Sequence, residues 1–377
     1  MEPTRTVYGT WSGGRYMHFG EPISEERYLN AIRRAYEKGI RTFMTSDVYG
    51  RGEADTMLGK ALAEYPRDSY CLITLLGHDI YDGKRDGARG YARFTAPWLR
   101  QPADYQGYLQ KAAEKALERV GVDQFDGVLL HNPDLRGYSQ DSVWKAMDSL
   151  RDSKLTRFIG VAPGPANGFT LDIIRCFERF GSLIDWAMVI QGPFEPWPSN
   201  LLQPAAVKEN INIIARVVDY GGIFHDDLKP GHQFRDGDHR AYRPEGWVEA
   251  GNEKLEKMRP IAEKHGLTML QLASLWTMAQ PAVKGVVPTF VQETGEGAKS
   301  YEDKIDEFAA LPDIQLSDED VQTIFAIGNN KGCMSLKGGS PAYDGEELPD
   351  QWGMNNDLKG VAERWGIKPE QDLVCTM

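Results

Sequence analysis

Three side chains that can donate or accept protons follow two short apolar runs of the chain. Asp47 and Tyr49 lie just beyond the run 41–46, and His131 ends the run 126–131. The strand ends of a parallel barrel gather at one face, where such enzymes place their active sites. A phenol hydroxyl beside an imidazole can pass a proton in either direction, so Tyr49 and His131 are a candidate acid–base pair. Asp47 is either a third polar group of that site or a cap for the following helix.

Further polar residues follow the third and seventh apolar runs. His78 and Asp79 come just after the third run and could supply a polar pair to the same site, although such pairs in loops are commonly surface pairs. Arg216 and Asp219 flank the end of the seventh run. These two residues could bind each other or a polar substrate.

Three tryptophans fall in or near the loops that follow strands, namely Trp98, Trp197 and Trp247. Aromatic rings line pockets for apolar or sugar-like ligands, so these residues are candidate substrate contacts. They are equally suited to packing long loops against the rest of the fold.

The loop after the seventh run is rich in His and Asp. It holds three of the 7 histidines, of which His225 and His239 are candidate metal ligands, together with four aspartates. No two of these histidines have the H-x-x-x-H spacing that places both on one face of a helix. A solvated acidic loop explains the composition as well, and we expect no metal site.

Eight short apolar runs separated by amphipathic stretches must position these residues. The predicted strands are 7–10, 41–46, 70–76, 126–131, 158–162, 186–191, 213–218 and 285–290. Most are apolar throughout rather than alternating, as strands buried on both faces are. Eight such units predict an α/β fold, a closed (β/α)₈ TIM barrel, and the GxGxxG that a doubly wound sheet would carry after its first strand is missing.

Three segments interrupt or extend this repeat. Long inserts follow the third strand at 77–102 and the seventh at 221–251, on the side where barrel loops build active sites. We predict one barrel domain over 1–330 and an irregular C-terminal extension over 331–377 that packs on it.

Composition and charge exclude several classes of protein. The 377-residue chain is 41% hydrophobic and 26% charged, as globular proteins are, and its 43 Lys and Arg against 55 Asp and Glu give a net charge of −12. That acidic balance argues against a nucleic-acid partner, because phosphate contacts need clustered basic residues. No apolar run reaches the roughly 20 residues that cross a bilayer, and the first residues lack the apolar stretch of a signal peptide. We expect a cytoplasmic protein that acts on a small molecule, with self-assembly left open.

Several motifs resemble those of the aldo-keto reductase superfamily. They are FMTSDVYG at 43–50, LGKAL at 58–62, LLHNPD at 129–134, RFIGV at 157–161 and the pair Gln191 and Phe194. They resemble, in order, the second-strand, fourth-strand histidine, fifth-strand and sixth-strand motifs of that family. The chain is therefore identified as an atypical member of the superfamily.

The resemblance implies carbonyl reduction with NAD(P) by a catalytic Asp, Tyr, Lys and His, of which this chain keeps half. Tyr49 matches the general acid and His131 the histidine, whereas Met44 and Leu75 stand at the aspartate and lysine positions. Without the lysine ammonium, little lowers the tyrosine pKa from its usual value of about 10. His131, with an ordinary pKa of about 6.5, is then the better base, and activity should fall below about pH 6.5.

The positions that bind the nicotinamide cofactor in the family also differ. APG at 162–164 replaces a Ser-Asn pair, so no side chain there can bond the nicotinamide amide, although Gln191 and Phe194 could still bond and stack it. After the eighth strand the family has a Gly-rich turn and a basic residue for the 2′-phosphate, whereas this chain has acids such as Asp303 and Asp306. These acids would repel that phosphate, so the sequence favours NAD(H) over NADP(H), with no cofactor as the alternative.

Two enzymatic functions follow from these residues. The first is an atypical nicotinamide-dependent oxidoreductase that acts on a carbonyl or alcohol, with Tyr49 and His131 as its acid–base pair. The second is a non-redox lyase, dehydratase or isomerase in which the same two residues move protons without hydride transfer. A third class is a catalytically silent binding or regulatory subunit, since one fold can serve many functions.

Overall fold

The computed structural model describes residues 1–87 and 90–376 and contains an eight-stranded parallel barrel. Its strands are β1 Val7–Gly9, β2 Thr42–Ser46, β3 Cys71–Leu76, β4 Phe125–His131, β5 Thr156–Ala162, β6 Trp186–Ile190, β7 Asn212–Arg216 and β8 Val283–Val287. Each pairs in parallel with the next along the chain. Thr6 bridges Val286, which brings β8 beside β1. The predicted (β/α)₈ barrel is confirmed.

The strands read as continuous apolar runs because both of their faces are covered. In β3, Leu72 and Leu76 pack outward in the large cluster beneath the helices, whereas Ile73 and Leu75 point into the barrel. None of the four has exposed surface. This double burial fixes which side chains point inward, and so which residues reach the mouth of the barrel.

Helices surround the barrel. Their bounds are α1 Glu25–Glu37, α2 Glu53–Leu62, α3 Tyr105–Val120, α4 Leu135–Ser139, α5 Asp141–Asp152, α6 Thr170–Phe180, α7 Gln203–Lys208, α8 Trp247–His265, α9 Met269–Met278, α10 Tyr301–Ala309 and α11 Asp318–Gly328. The side chain of Ser24 caps α1 by accepting a hydrogen bond from the Arg27 amide. Within the described ranges, no helix is both long and apolar enough to cross a membrane.

The last two strands end earlier than predicted. β7 stops at Arg216 because Val217 adopts a left-handed backbone conformation, with φ of 64°, which breaks the extended run. β8 covers 283–287 rather than 285–290, and the residue after it is Pro288, which has no amide hydrogen to give to a ladder. The loops after β7 and β8 therefore begin earlier in the chain than the apolar pattern predicts.

The two long inserts have little regular structure. The insert after β3 holds a two-residue ladder between Arg85–Asp86 and Gly90–Tyr91, and its residues 88 and 89 lie outside the described ranges. The insert after β7 forms two single helical turns, Ile223–His225 and His239–Tyr242, before α8 begins. Both inserts follow strand C-termini, so both lie at the face that carries the site.

The C-terminal extension is more regular than its sequence predicts. Strands β9 Gly338–Ser340 and β10 Gln351–Gly353 pair in parallel, and helices α12 Asn356–Trp365 and α13 Pro369–Asp372 follow. The glycines that suggest an irregular tail instead allow close packing, because a Cβ on Gly339 would lie 2.2 Å from Leu358 Cδ1.

Candidate active site

Tyr49 and His131 lie together at the mouth of the barrel. Their rings are 5.9 Å apart and nearly perpendicular, at 80°. Only 9% of Tyr49 and 6% of His131 is exposed. Two residues from different strand ends are thus held in one enclosed space, as a shared substrate oxygen would require.

A third aromatic residue at the mouth, Trp11, is not predicted by the sequence. Its ring lies 6.1 Å from that of Tyr49, and its indole nitrogen donates a hydrogen bond of 3.1 Å to Thr289 Oγ1. The signal in the sequence was Gly9, because a Cβ at that position would lie 2.4 Å from the Trp11 ring. A glycine inside a buried strand often marks such a close approach.

Ser46 fixes the tautomer of His131. The Ser46 hydroxyl donates its single hydrogen to the Leu75 carbonyl at 2.8 Å, so its contact of 3.1 Å with His131 Nδ1 is an acceptance from an Nδ1–H. His131 Nε2 therefore carries a lone pair, and within the described residues it has no hydrogen-bond partner. An imidazole in this state can act as a base without first losing a proton.

Burial moves the pKa values of the pair in opposite directions. It raises the pKa of Tyr49 well above its usual value of about 10, and the nearby Arg216 guanidinium only partly opposes that shift. Burial lowers the pKa of His131 well below 6.5, and His78, Arg216 and Arg93 add to the effect. The ordinary pKa of about 6.5 that the sequence suggests for His131 is therefore too high, and a loss of activity through protonation of this imidazole would lie at lower pH.

His78 joins the site as a neutral residue. Its ring lies 5.2 Å from that of His131, its Nδ1 donates to the Tyr91 carbonyl at 2.9 Å, and its Nε2 accepts from the Asn132 amide at 3.1 Å. Burial lowers its pKa to about 3. Asp79 is directed elsewhere, since it pairs with Arg100 at 2.6 Å.

Asp47 is buried without a hydrogen bond. Neither of its carboxylate oxygens has a partner among the described residues. Burial raises its pKa well above 3.8, and the neighbouring Asp55 carboxylate adds to that shift although Arg119 opposes it. Asp55 itself forms an ion pair with Arg119 at 2.9 Å. Burial thus favours the neutral form of Asp47, which lies near the ion pair that Asp55 of α2 and Arg119 of α3 form.

Arg216 supplies a cation at the mouth. Its Nη2 donates to the carbonyl of Pro163 at 3.2 Å, and no carboxylate lies within 4.0 Å of its guanidinium in the described ranges. The predicted alternative of a pair with Asp219 is not formed, because Asp219 accepts from backbone amides instead. The charge of Arg216 thus acts on Tyr49 and His131, since it favours a lower pKa for both.

The interior below the pair is apolar. Met44 and Leu75, which the sequence places at the positions of an aspartate and a lysine, are fully buried among Ile73, Leu129 and the other residues that fill the barrel. Either charge alone would be an unpaired buried ion, so replacing both together is consistent with a stable interior. No ammonium reaches Tyr49 from β3.

Only part of a nicotinamide site is present. Gln191 Oε1 accepts from Gln203 at 2.7 Å, while Gln191 Nε2 is buried without a partner and could bond a carboxamide. The Phe194 ring is packed against Tyr220 and Phe224, at 5.2 and 4.5 Å between ring centroids, rather than presented to the mouth.

The turn after β5 has no room for the side chains that the family uses. A Cβ on Gly164 would lie 2.5 Å from Asn132 Oδ1 and 2.8 Å from Arg216 Nη2. Of the positions that the sequence predicts to hold a nicotinamide, the Gln191 amide is therefore the one with a polar atom left for it. In the loops after β7 and β8, the backbone amides of Thr289 and Gly222 are already bound by a single carboxylate, that of Asp219.

The acids of α10 do not lie free to repel a phosphate. Asp306 accepts two hydrogen bonds of 2.6 Å from Arg34 of α1 and also pairs with Lys38, the residue that follows α1. Glu302 pairs with Arg27 at 2.6 Å. These ion pairs neutralise most of the acidic run from which the sequence favours NAD(H).

The remaining candidate residues lie away from the pair. Trp98 is 74% exposed, and Trp197 donates from its indole nitrogen to the Asp372 carbonyl at 2.7 Å, which ties the C-terminal extension to the loop after β6. His225 contacts the Thr289 carbonyl at 2.9 Å, and the His239 ring packs on His18 at 5.3 Å. The described part of the chain contains no group of three or more His, Cys, Asp or Glu arranged to hold a metal ion.

Comparison with known proteins identifies the family. A model of the aldo/keto reductase family matches residues 5–329. The versiconal hemiacetal acetate reductase of Aspergillus parasiticus is 22% identical over 357 residues, covering 85% of this chain and 92% of that protein. Glycerol dehydrogenase of Gluconobacter oxydans superposes with a TM-score of 0.69 at 21% identity, covering 87% of this chain and 92% of that one. An aldo/keto reductase of Klebsiella pneumoniae in complex with NADP and acetate has a TM-score of 0.57 at 18% identity, covering 86% and 91%. This chain belongs to the aldo/keto reductase family.

Proposed function

We propose that this protein is an acid–base enzyme acting on a small molecule that carries a carbonyl or hydroxyl group. The observation that carries this proposal is the fixed state of His131, whose Nδ1–H is bound by Ser46 and whose Nε2 is free beside Tyr49. A neutral imidazole with a free lone pair is a competent general base at neutral pH.

The protonation states assign a role to each residue. His131 Nε2 takes a proton from the substrate, and Tyr49, whose raised pKa keeps it protonated, donates a hydrogen bond to the substrate oxygen. Arg216 stabilises negative charge that develops on that oxygen, as fixed cations do in enclosed sites. This division of labour suits proton abstraction next to a carbonyl, as in a non-redox lyase, dehydratase or isomerase.

A nicotinamide-dependent oxidoreductase is the second candidate function. It is favoured by membership of the family and by the unpartnered Gln191 Nε2 at the end of β6. In that case Tyr49 and His131 pass the proton that accompanies the hydride, and the preference for NAD(H) over NADP(H) rests on the exposed Asp303 alone. The replacement of the charged residues by Met44 and Leu75 favours the non-redox function.

Solvent exchange tests the proposal without knowledge of the substrate. The protein is incubated in D₂O with a panel of 2-keto acids, hydroxy ketones and aldoses, and exchange at the carbon next to the carbonyl is followed by proton NMR without nicotinamide. We expect the wild type to catalyse exchange on part of the panel and His131→Ala to lower the rate about 10²-fold or more. His239→Ala, an exposed histidine of the insert, is the matched control and should leave it unchanged. Exchange that persists in His131→Ala would remove the histidine from the mechanism.

A further inference from the structure

The loops after β7 and β8 meet where barrel enzymes commonly bind a phosphate group. Such sites use backbone N–H groups that point at the anion. Here the Asp219 carboxylate, which is fully buried, accepts from the Thr289 amide at 2.7 Å through one oxygen and from the Gly222 amide at 3.0 Å through the other. One carboxylate thus binds an amide from each loop, as a phosphate would.

The segment that follows β8 has few polar groups left for a ligand. The Thr289 carbonyl contacts His225 Nε2 at 2.9 Å, and its hydroxyl accepts from Trp11. The Phe290 amide donates to Ser12 Oγ at 3.1 Å, and its carbonyl accepts from Gly13 at 3.0 Å. Thr289 and Phe290 are both buried, so the chain itself covers this surface.

A buried arginine binds the insert after β7 to the neighbouring loops. Arg240, which is 1% exposed, donates from Nη2 to Asp238 at 2.9 Å and to Glu293 at 3.1 Å. Its Nη1 also donates to the Gly221 carbonyl at 3.2 Å. Asp238 in turn accepts from the Gly20 amide at 2.8 Å. The insert is therefore bound to the loops after β1, β7 and β8 together.

Electrostatics oppose an anion at this position. Asp219, Asp238 and Glu293 bring three carboxylates to these loops, where Arg240 pairs with the last two and the buried Lys304 pairs with a fourth, Asp227. Burial raises the pKa of Asp219 to about 6, so this carboxylate is still mostly ionised at pH 7. A phosphate would meet like charges and would have to displace the Asp219 carboxylate from both amides.

We propose that the Asp219 carboxylate permanently occupies the phosphate position of this barrel and that the protein binds no dinucleotide through it. The inference goes beyond the acid–base pair, since it concerns the opposite end of the cleft. It implies that the chemistry at Tyr49 and His131 proceeds without NAD(H) or NADP(H), although the relative from Klebsiella pneumoniae is seen with NADP. The chain has kept the family's barrel while closing its nucleotide end.

Binding measurements on the full-length protein test this inference. NADH and NADPH are titrated by nicotinamide fluorescence, and inorganic pyrophosphate is titrated by thermal shift, each to about 1 mM. We expect no saturable signal from the wild type. In Asp219→Ser and Asp219→Gly, which free the amides of Thr289 and Gly222, we expect pyrophosphate to raise the melting temperature, with far-UV circular dichroism showing that each variant is folded. Glu249→Ser, at an exposed position of α8, is the matched control and should behave as wild type.

Two results would overturn the inference. Saturable micromolar binding of either nucleotide to the wild type would show that the cleft opens. Folded Asp219 variants that gain no stabilisation from pyrophosphate would show that this carboxylate does not hold the phosphate position. Neither result touches the acid–base proposal, which the exchange assay at His131 decides separately.

Discussion

The tautomer of His131 can be observed directly by NMR. The chain has 7 histidines, so labelling them with ¹⁵N gives a spectrum in which His131→Asn identifies the signal of interest. We expect an Nδ1–H tautomer in the wild type, because the Ser46 hydroxyl has already given its hydrogen to Leu75 and can only accept. We also expect the imidazole to stay neutral well below pH 6.5, because burial lowers its pKa.

The change Ser46→Ala measures how much the hydrogen bond to His131 contributes to its tautomer. The lost hydrogen bond is worth about 1 kcal/mol, which corresponds to a roughly five-fold change in the ratio of the two tautomers and so to a loss in kcat of at most about five-fold through the tautomer alone. A buried Nδ1–H left without a partner should also lower the free energy of unfolding by about 1–3 kcal/mol. Ser274→Ala, at a buried serine that donates to the Leu270 carbonyl in α9, is the matched control for the loss of a buried hydroxyl.

The lowered pKa of His131 fixes the direction in which stability changes with pH. Because the pKa of His131 is lower in the folded than in the unfolded state, the unfolded chain takes up the extra proton as the pH falls below 6.5. This group then destabilises the fold by about 1.4 kcal/mol per pH unit, until the pH reaches the lower pKa of the folded state. A wild-type imidazole that is protonated on Nε2, or that titrates near pH 6.5, would refute the reasoning from burial and from Ser46.

Three further predictions concern the interior, the mouth and the tail. Met44→Asp and Leu75→Lys each bury an unpaired charge, so each should lower the free energy of unfolding in urea by about 3–5 kcal/mol. The double variant should lose less than the sum of the two, whereas strict additivity would show that the two sites do not interact. Arg216→Gln should lower kcat by about 10²-fold, because the charge at the substrate oxygen is lost, and Arg216→Lys should have an intermediate kcat. If both variants had the kcat of the wild type, the cation would have no part in the mechanism. Asn330→Ala removes two hydrogen bonds to the Trp197 backbone, so it should lower the free energy of unfolding by about 2 kcal/mol. It should also make the tail more sensitive to limited proteolysis, and unchanged cleavage would show that other contacts hold the tail.

The barrel could be predicted because its signals are local. β3 and β4 are largely apolar, and their predicted bounds lie within one residue of those in the structure. The end of β7 could not be read in this way. Val217 is a strand-forming residue, and only the turn that buries Asp219 explains its left-handed backbone.

Much of the site could not be predicted because its contacts join distant parts of the chain. Ser46 lies 85 residues from His131, and Asp306 lies 272 residues from the Arg34 that neutralises it. A sequence shows that Asp306 is acidic but not that its charge is already paired. For the same reason Arg240 reads as one of many charges in a polar loop, although it is fully buried and holds that loop in place.

The interior and the loops after β7 and β8 follow one electrostatic rule, that a buried charge needs its partner. In the interior, Met44 and Leu75 leave Tyr49 in apolar surroundings. Burial there raises the pKa of Tyr49 and lowers that of His131, as the proposed roles of hydrogen-bond donor and base require. In the loops after β7 and β8, Asp219 is bound by backbone amides, and Asp238 and Glu293 are bound by Arg240. If the two proposals hold, the acid–base pair needs no ammonium and the phosphate position takes no anion, which is what proton transfer without a dinucleotide requires.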